Sequence, residues 1–445
     1  MKLSLKEIAA ATGGTLYGND MTVTGLVTDS RAVKSGCMFA AFRGERVDGF
    51  DFIEKIDGTD GICYLSDRLP VGMKNPTVLV DDVLSAVGKI ARCHLDTLDI
   101  KKIAVTGSVG KTTTKEFIRA ALSECINVHY AKGNKNNELG LPLTALEATE
   151  LHDAAVLEMG MRGLGQIEYL CNIARPDIAV ITNIGICHIE LLGSRENILK
   201  AKLEAVDALT ADGTAVLNGD DDMLSTVKTD KKTLFYGIDN EKCDIRATDV
   251  NGSEFTLEYG GKRYPVALCV MGRHNIYNAL AAVAVGITLG LEIPALIRGV
   301  SGFTGDGSRQ NIYTHHGVTL FDDTYNASPD SMRASMSVMS GLAGRHILVL
   351  ADMLELGDMT ESAHAGLKDA VMACKPYHVI CVGKHMQSLY NALENVQKSS
   401  CADNGAALEI LIGTVKKGDV VLFKGSNSMN LADLVTRFKG ELEKC

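Results

Sequence analysis

The chain has 445 residues, 46% hydrophobic and 22% charged, with a formal net charge of −10. That length exceeds what one hydrophobic core serves and predicts roughly three domains, while the acidic balance argues against a broad nucleic-acid surface. Twelve cysteines, spread from Cys37 to Cys445 without C-x-x-C spacing, form neither a zinc framework nor a disulfide scaffold and predict a reducing, cytoplasmic setting.

The N-terminal "MKLSLKEIAAATGG" lacks the layout of a signal peptide and reads as a small amphipathic helix. Short strands follow in "TVTGLVTDSR", "GCMFAAF", "GICYLS" and "PTVLVDD", then a helix in "VLSAVGKIARCHLDTL" and a linker near Leu98–Lys102. From Ile103 the strand-like runs "KIAVTGS", "AAVLEMG", "DIAVITNIG" and "TAVLNGD" alternate with helical windows, the pattern of a mainly parallel sheet covered by helices. A β-rich insert precedes a helix from Asn275, whose run "NALAAVAVGITLGL" is too short to span a bilayer, so no membrane insertion is expected. A third section opens near Ser308 with "VTLFDDTYN", "HILVLADM", "HVICVGK" and "DVVLFKG". The expected domains are 1–98, 99–307 and 308–445, all α/β. Met332, Met336 and Met339 fall at helical spacing and read as core.

"IAVTGSVGKTTTKEF" carries the chemistry most openly. A strand, a glycine turn, Lys-Thr and a helix make a phosphate-binding loop: backbone N–H groups hold the anion, Lys111 reaches the terminal phosphates and Thr112 meets Mg²⁺. The spacing is G-x-x-G-K-T from Gly107 to Thr112, with Val105 where the longer form of the motif has glycine. Glu158 ends the strand "AAVLEMG", at the sheet edge where ligands of open α/β sheets gather, and an acid there suits Mg²⁺; alone it equally suits a cap or an ion pair. His188 follows the next strand at the same edge, where a lone histidine is more often structural. In "ILKAKLEAVDAL", Ile198, Val206 and Leu209 share one helical stripe and Lys200, Glu204 and Asp207 the opposite one. Lys202 lies on the apolar stripe, so it either snorkels to water or its nitrogen is used inside.

"TGSVGKTTTKE", "GNKNNELGLPLTAL", "LEMGMRGLGQIEYL", "ITNIGICHIELLGSRENILKAKLE", "GRHNIYNALAA", "DDTYNASPDSMRA" and "DMLELG", in this order and with "TDSRAVKSGCMFAAFRGERVDGFDFI" before them, together resemble the Mur ligases. The resemblance implies an N-terminal α/β domain for the UDP-substrate, a central P-loop ATPase domain and a C-terminal Rossmann-like domain that closes on ATP. It also implies an ATP-dependent amide-bond ligase of peptidoglycan-precursor synthesis. "GNKNNELGLPLT" and "DDTYNASPDS" favour the branch that adds D-Ala-D-Ala to UDP-N-acetylmuramoyl-tripeptide through an acyl phosphate; a "DNPR"-type motif for a diamino acid is absent.

Carried over by position, the resemblance places ATP at Gly107, Ser108, Val109, Gly110, Lys111, Thr112, Thr113, Asn275, Asn278, Arg309, Asp323 and Tyr325. It places a first Mg²⁺ at Thr112 and Glu158, and a second at His188 and a carbamylated Lys202. Lys111, His188, Lys202 and Arg309 are the implied catalytic residues. Ser30 and Arg31 would meet the UDP group, Asn134, Asn136 and Asn137 the peptide, and Asn326 the incoming dipeptide; Asn-rich loops are also commonly mere turns. A monomer is expected.

Two positions depart from the family pattern. Asn427 in "KGSNSMNLADL" stands where arginine is usual, and Ala351 in "ADMLELG" where glycine is common. The first raises two alternatives, a related ligase with another acceptor and a nucleotide-binding regulatory protein without catalysis.

Overall fold

A computed structural model describes residues 1–444 except 45, 46, 70, 71, 73, 306 and 308. Besides a two-stranded antiparallel pair, Leu3–Ser4 with Thr22–Val23, three larger sheets succeed one another along the chain. The first has five strands in the order Thr15–Tyr17, Thr77–Leu79, Cys63–Ser66, Cys37–Ala40 and Gly25–Val27, parallel except at the first pairing. The helix Val83–Asp96 closes this section, its N-terminus capped by Asp82, which accepts from the N–H groups of Leu84 and Ser85.

The second sheet has nine strands. The strand Lys101–Thr106 lies third from one edge, flanked by Ile178–Ile181 and Ala154–Glu158, all parallel. Because the chain leaves this strand for the nearer edge strand Val128–Tyr130 and returns to each side of it in turn, the crevice beyond its C-terminal end is a topological switch point. "IAVI" in Ile178–Ile181 is buried at every position, as parallel strands covered on both faces require. The β-rich insert joins the same sheet as the antiparallel strands Glu254–Tyr259 and Lys262–Ala267. The helix Arg273–Thr288 has Ala279–Val285 buried without interruption, and it packs with the helices Lys111–Leu122 and Ile293–Ser301. Its lack of a polar face thus reflects an interior position rather than a membrane. No helix among the described residues is long and apolar enough to cross a membrane.

The linker expected near Leu98–Lys102 is shorter than it reads. Lys101 and Lys102 already belong to the strand Lys101–Thr106, and Lys102 donates its backbone N–H to Asp177 (2.9 Å). Those two lysines sit at the entrance of the strand, where side chains still reach solvent, and their charge disguises it. The third sheet begins with the hairpin Asn311–His315/Val318–Asp322 and continues in parallel through Asp419–Lys424, Arg345–Ala351, His378–Val382 and Gln397–Cys401. Ser308, where the third section was expected to open, lies outside the described residues. Met332, Met336 and Met339 are core, buried on the helix Pro329–Ser340. Ala351 is fully buried and its methyl lies against Gly425, where an added Cβ would sit 2.6 Å away, so a glycine opposite makes room for the departure.

Candidate active site

The turn between the strand Lys101–Thr106 and the helix Lys111–Leu122 depends on two glycines in the left-handed half of conformational space, Gly107 (φ 149°) and Gly110 (φ 84°). A Cβ on Gly107 would collide with Thr182 Oγ1. The neighbouring strand end holds the loop's shape. Ser108 N–H donates to the Asn183 carbonyl (3.0 Å) and Val109 N–H to Asn183 Oδ1 (3.0 Å), while Thr182 Oγ1 donates to the Val109 carbonyl (2.6 Å). Lys111 folds back over the turn, its Nζ donating to the Gly107 carbonyl (2.7 Å). Burial pushes its pKa down, with Glu158 opposing. Thr113 lines the cavity ahead of the loop. With free N–H groups of a 12-residue helix and a lysine at one point, the turn is built for an anion.

Beside it, Thr112 Oγ1 donates to Glu158 Oε2 (2.8 Å) and Asn136 Nδ2 to Oε1 (2.8 Å). The buried carboxylate has a cation nearby that the sequence reading missed. Lys115 Nζ lies 3.9 Å from Glu158 Oε2 and donates to the carbonyls of Ala131 (2.6 Å) and Gly133 (2.7 Å). His188 has φ 62°, and its Nδ1 lies 2.7 Å from Glu355 Oε2 of the third section, close in distance but off the line of a hydrogen bond. Burial lowers the imidazole pKa, Glu355 opposes it, and the charges of Lys111 and Lys202 lower it further.

Lys202 faces inward as its stripe requires, on the helix Arg195–Asp207 that Ser194 caps by accepting from Asn197 N–H. The side chain is 2% exposed, whereas Lys200 is exposed. Among the described residues no hydrogen-bond or ion-pair partner meets its ammonium. Burial and then the Lys111 charge drive its pKa far down, with Cys187 opposing weakly.

A cavity of about 1500 Å³ extends from this cluster to the third section. There Asp323 Oδ2 accepts from Lys424 Nζ (2.6 Å) and Ser335 Oγ (2.5 Å), and Oδ1 from Gln310 N–H (3.3 Å). The Arg309 guanidinium stacks 4.3 Å from the centre of the Tyr325 ring. Tyr325 Oη accepts from Asn134 Nδ2, tying the third section to the second. Asn326 is exposed and lines the cavity, and its carbonyl accepts from Lys424 (3.1 Å). Asn427 Nδ2 donates to the Tyr325 carbonyl (3.0 Å), so the departure from arginine leaves a residue that holds this loop.

Other expected site residues sit differently. Asn275 and Asn278 line the cavity, but their amides are engaged within the protein: Asn278 Nδ2 donates to Asn275 Oδ1 (3.1 Å), and Asn278 Oδ1 accepts from Thr114 Oγ1 (2.8 Å). Asn137 also lines the cavity, and its Oδ1 accepts from Gly140 N–H (2.8 Å) at the start of the helix Gly140–Glu147. Ser30 and Arg31 are not brought to the cavity. They lie on a short 3-10 turn of the first section, where the exposed Arg31 is held by Asp29 (Nη2–Oδ2 2.7 Å), and the contact pulls the Asp29 pKa down to about 2. Thr182, Asn183, Lys115, Glu355, Ser335 and Lys424 were all missed. All but Ser335 lie inside stretches already quoted, but nothing local marks their partners.

The geometry agrees with what known proteins show. The chain matches the models described as Mur ligase middle domain (residues 105–286), Mur ligase, glutamate ligase domain (308–427) and Mur ligase family, catalytic domain (22–61). It is 38% identical to the UDP-N-acetylmuramoyl-tripeptide–D-alanyl-D-alanine ligase of Bacillus subtilis and 32% to that of Escherichia coli, each alignment covering 98% of both chains. A crystal structure of MurF from Acinetobacter baumannii superposes with a TM-score of 0.92 at 29% identity over 99% of both chains. MurF of Thermotoga maritima in complex with ADP gives 0.83 at 30% identity, covering 94% of this chain and 98% of that one. With two such relatives aligned over nearly the whole length and three family models matched in order, the chain is a member of the Mur ligase family.

Proposed function

We propose that the protein joins D-alanyl-D-alanine to UDP-N-acetylmuramoyl-tripeptide at the expense of ATP, in the cytoplasm. The observation that carries this reading is the convergence of Lys111, Glu158 and His188 on one crevice, with Thr112 bonded to Glu158 and the buried Lys202 near Lys111 and His188, in a chain aligned end to end with ligases of that name. The tripeptide's terminal carboxylate attacks the γ-phosphorus, ADP leaves, and an acyl phosphate forms. The dipeptide amine then bonds to the acyl carbon, the C–O bond to phosphate breaks, and the amine gives up a proton.

Two anions must meet in the first step, so concentrated positive charge and alignment dominate the catalysis. Lys111 and the helix N-terminus supply part of that charge to the β- and γ-phosphates. The residues also fit two Mg²⁺ ions. The Thr112 hydroxyl and Glu158 carboxylate form a hard oxygen pair for one. His188 and Lys202 would hold the other, because a buried lysine pushed toward the neutral amine can take up CO₂ and present carbamate oxygens. Bound there, the ions would neutralise charge on the phosphates. Arg309 and Tyr325, carried on the third section, would enclose the nucleotide from the far side, with Asp323 fixed behind them by Lys424.

Mass spectrometry of a reaction containing UDP-N-acetylmuramoyl-tripeptide, ATP, Mg²⁺ and a panel of acceptors tests the reading. The pentapeptide product from D-Ala-D-Ala is expected; a product only from another amino acid would reassign the acceptor. ATP binding without acceptor-dependent phosphate release would point to the non-catalytic alternative. Gly107→Ala probes the loop itself. Its φ and the collision with Thr182 force the turn to move, and a fall in turnover of at least about tenfold is expected from misplaced phosphate donors. Unchanged kcat/KM for ATP would show that the loop tolerates the methyl.

A further inference from the structure

We propose that His315, His316 and Glu443 form a surface site for a first-row transition-metal ion such as Zn²⁺, clamping the first hairpin of the third sheet to the C-terminal end of the last helix. One ligand atom from each residue lies within 4.8 Å of the others. His315 Nε2 is 3.6 Å from Glu443 Oε1, and the two imidazole rings meet edge to face with centroids 4.7 Å apart.

Neighbouring strand residues normally point to opposite faces, so two consecutive histidines do not ordinarily share a ligand. Here the backbone brings them together. His315 pairs with Val318, leaving His316 and Gly317 as a two-residue turn, and both have positive φ, 46° and 81°. That is the primed hairpin turn whose first position usually belongs to asparagine. Histidine is among the residues enriched at positive φ, and the turn leaves its ring beside that of His315. Asn311, Tyr313 and His315 alternate onto the face that meets the helix Leu431–Leu442, and Val435, Lys439 and Glu443 recur every four residues along that helix. Glu443 thus arrives opposite the histidines from a part of the chain far away in sequence, and the negative end of the helix dipole lies at the same place.

Two imidazoles and one carboxylate are a borderline donor set that suits Zn²⁺ with water in the fourth position. Tetrahedral ligand atoms around zinc stand about 3.3 Å apart, so the His315–Glu443 separation needs little adjustment. His315 Nε2 would give up only a 3.4 Å contact to the Lys439 carbonyl. Of the nearby cations, the Lys439 ammonium lies 5.2 Å from the centre of the Tyr313 ring, Lys444 pairs with Glu441, and the Lys417 stem covers Gly317.

The test compares the full chain with H316A and E443Q in saturating Mg²⁺ and ADP, counting Zn²⁺ by competition with a chromogenic chelator. The wild type is expected to hold one equivalent more than either variant, and Zn²⁺ is expected to raise its melting temperature but not theirs. Ligase turnover should be equal in all three. The same Zn²⁺ stoichiometry and affinity in wild type, H316A and E443Q would overturn the proposal.

Discussion

Lys202→Ala is expected to lower turnover by on the order of 10³-fold, the scale on which removal of a preorganised charge-stabilising group acts, while Lys200→Ala stays near wild type. The two lysines sit on the same helix two residues apart, one buried and one exposed, so the pair controls for charge and helix propensity. A lysine that snorkelled would place its ammonium in water; this one is 2% exposed and meets no partner among the described residues. Burying an unpaired ammonium is costly, which favours the neutral amine, the form that can take up CO₂, over the ammonium. The alanine variant should therefore melt no lower than wild type, apart from the cost of the small cavity. Loss of activity without loss of stability separates a functional lysine from a structural one. Bicarbonate cannot restore the variant, since the nitrogen is gone, whereas acetate or formate in the vacated space should return part of the activity. A carbamate resonance from ¹³C-bicarbonate in wild type, absent in Lys202→Ala, would identify the species directly. Full activity in Lys202→Ala would return the residue to a packing role.

What the sequence disclosed follows from how local each signal is. The phosphate loop was legible because strand, glycines, Lys111 and Thr112 are consecutive, and Glu158 and His188 because parallel strands deliver their C-terminal ends to one edge. Lys202 was legible as inward-facing because helical spacing is a local property. Partnerships across the chain were not. Lys115 lies one helical turn beyond Lys111, yet its value to Glu158 depends on strand order, and Lys424 meets Asp323 across 101 residues. Asn278 was placed in the cavity but its amide turned out to bind Thr114, because a cavity-lining position does not say which way an amide is already committed. Lys101 and Lys102 hid the start of the strand that leads into the phosphate loop, since a charged strand end and a linker share a composition.

Lys424→Met is expected to destabilise the third section by about 3–5 kcal/mol, the usual cost of stripping one partner from a buried ion pair. Lys424 and Asp323 are both nearly inaccessible, their charged atoms 2.6 Å apart. Left alone, Asp323 keeps the Ser335 hydroxyl and the Gln310 N–H but no counter-charge. The double variant Asp323→Asn/Lys424→Met should recover most of the loss in thermal unfolding, because neither charge remains to be desolvated. Acid provides an independent check. Burial by itself raises the Asp323 carboxyl, but the Lys424 charge and the hydrogen bonds from Lys424, Ser335 and Gln310 outweigh it and hold the pKa below the ordinary 3.8. A carboxyl depressed in the folded state stabilises it fully above the unfolded pKa, and that contribution drains away as pH falls through the folded value. The stability of wild type relative to the double variant should therefore be flat near neutrality and fall only below about pH 4. A difference that changed instead between pH 6 and 8 would assign the pH dependence to other groups, and a Lys424→Met protein as stable as wild type would remove the ion pair from the account of how this face of the cavity is held.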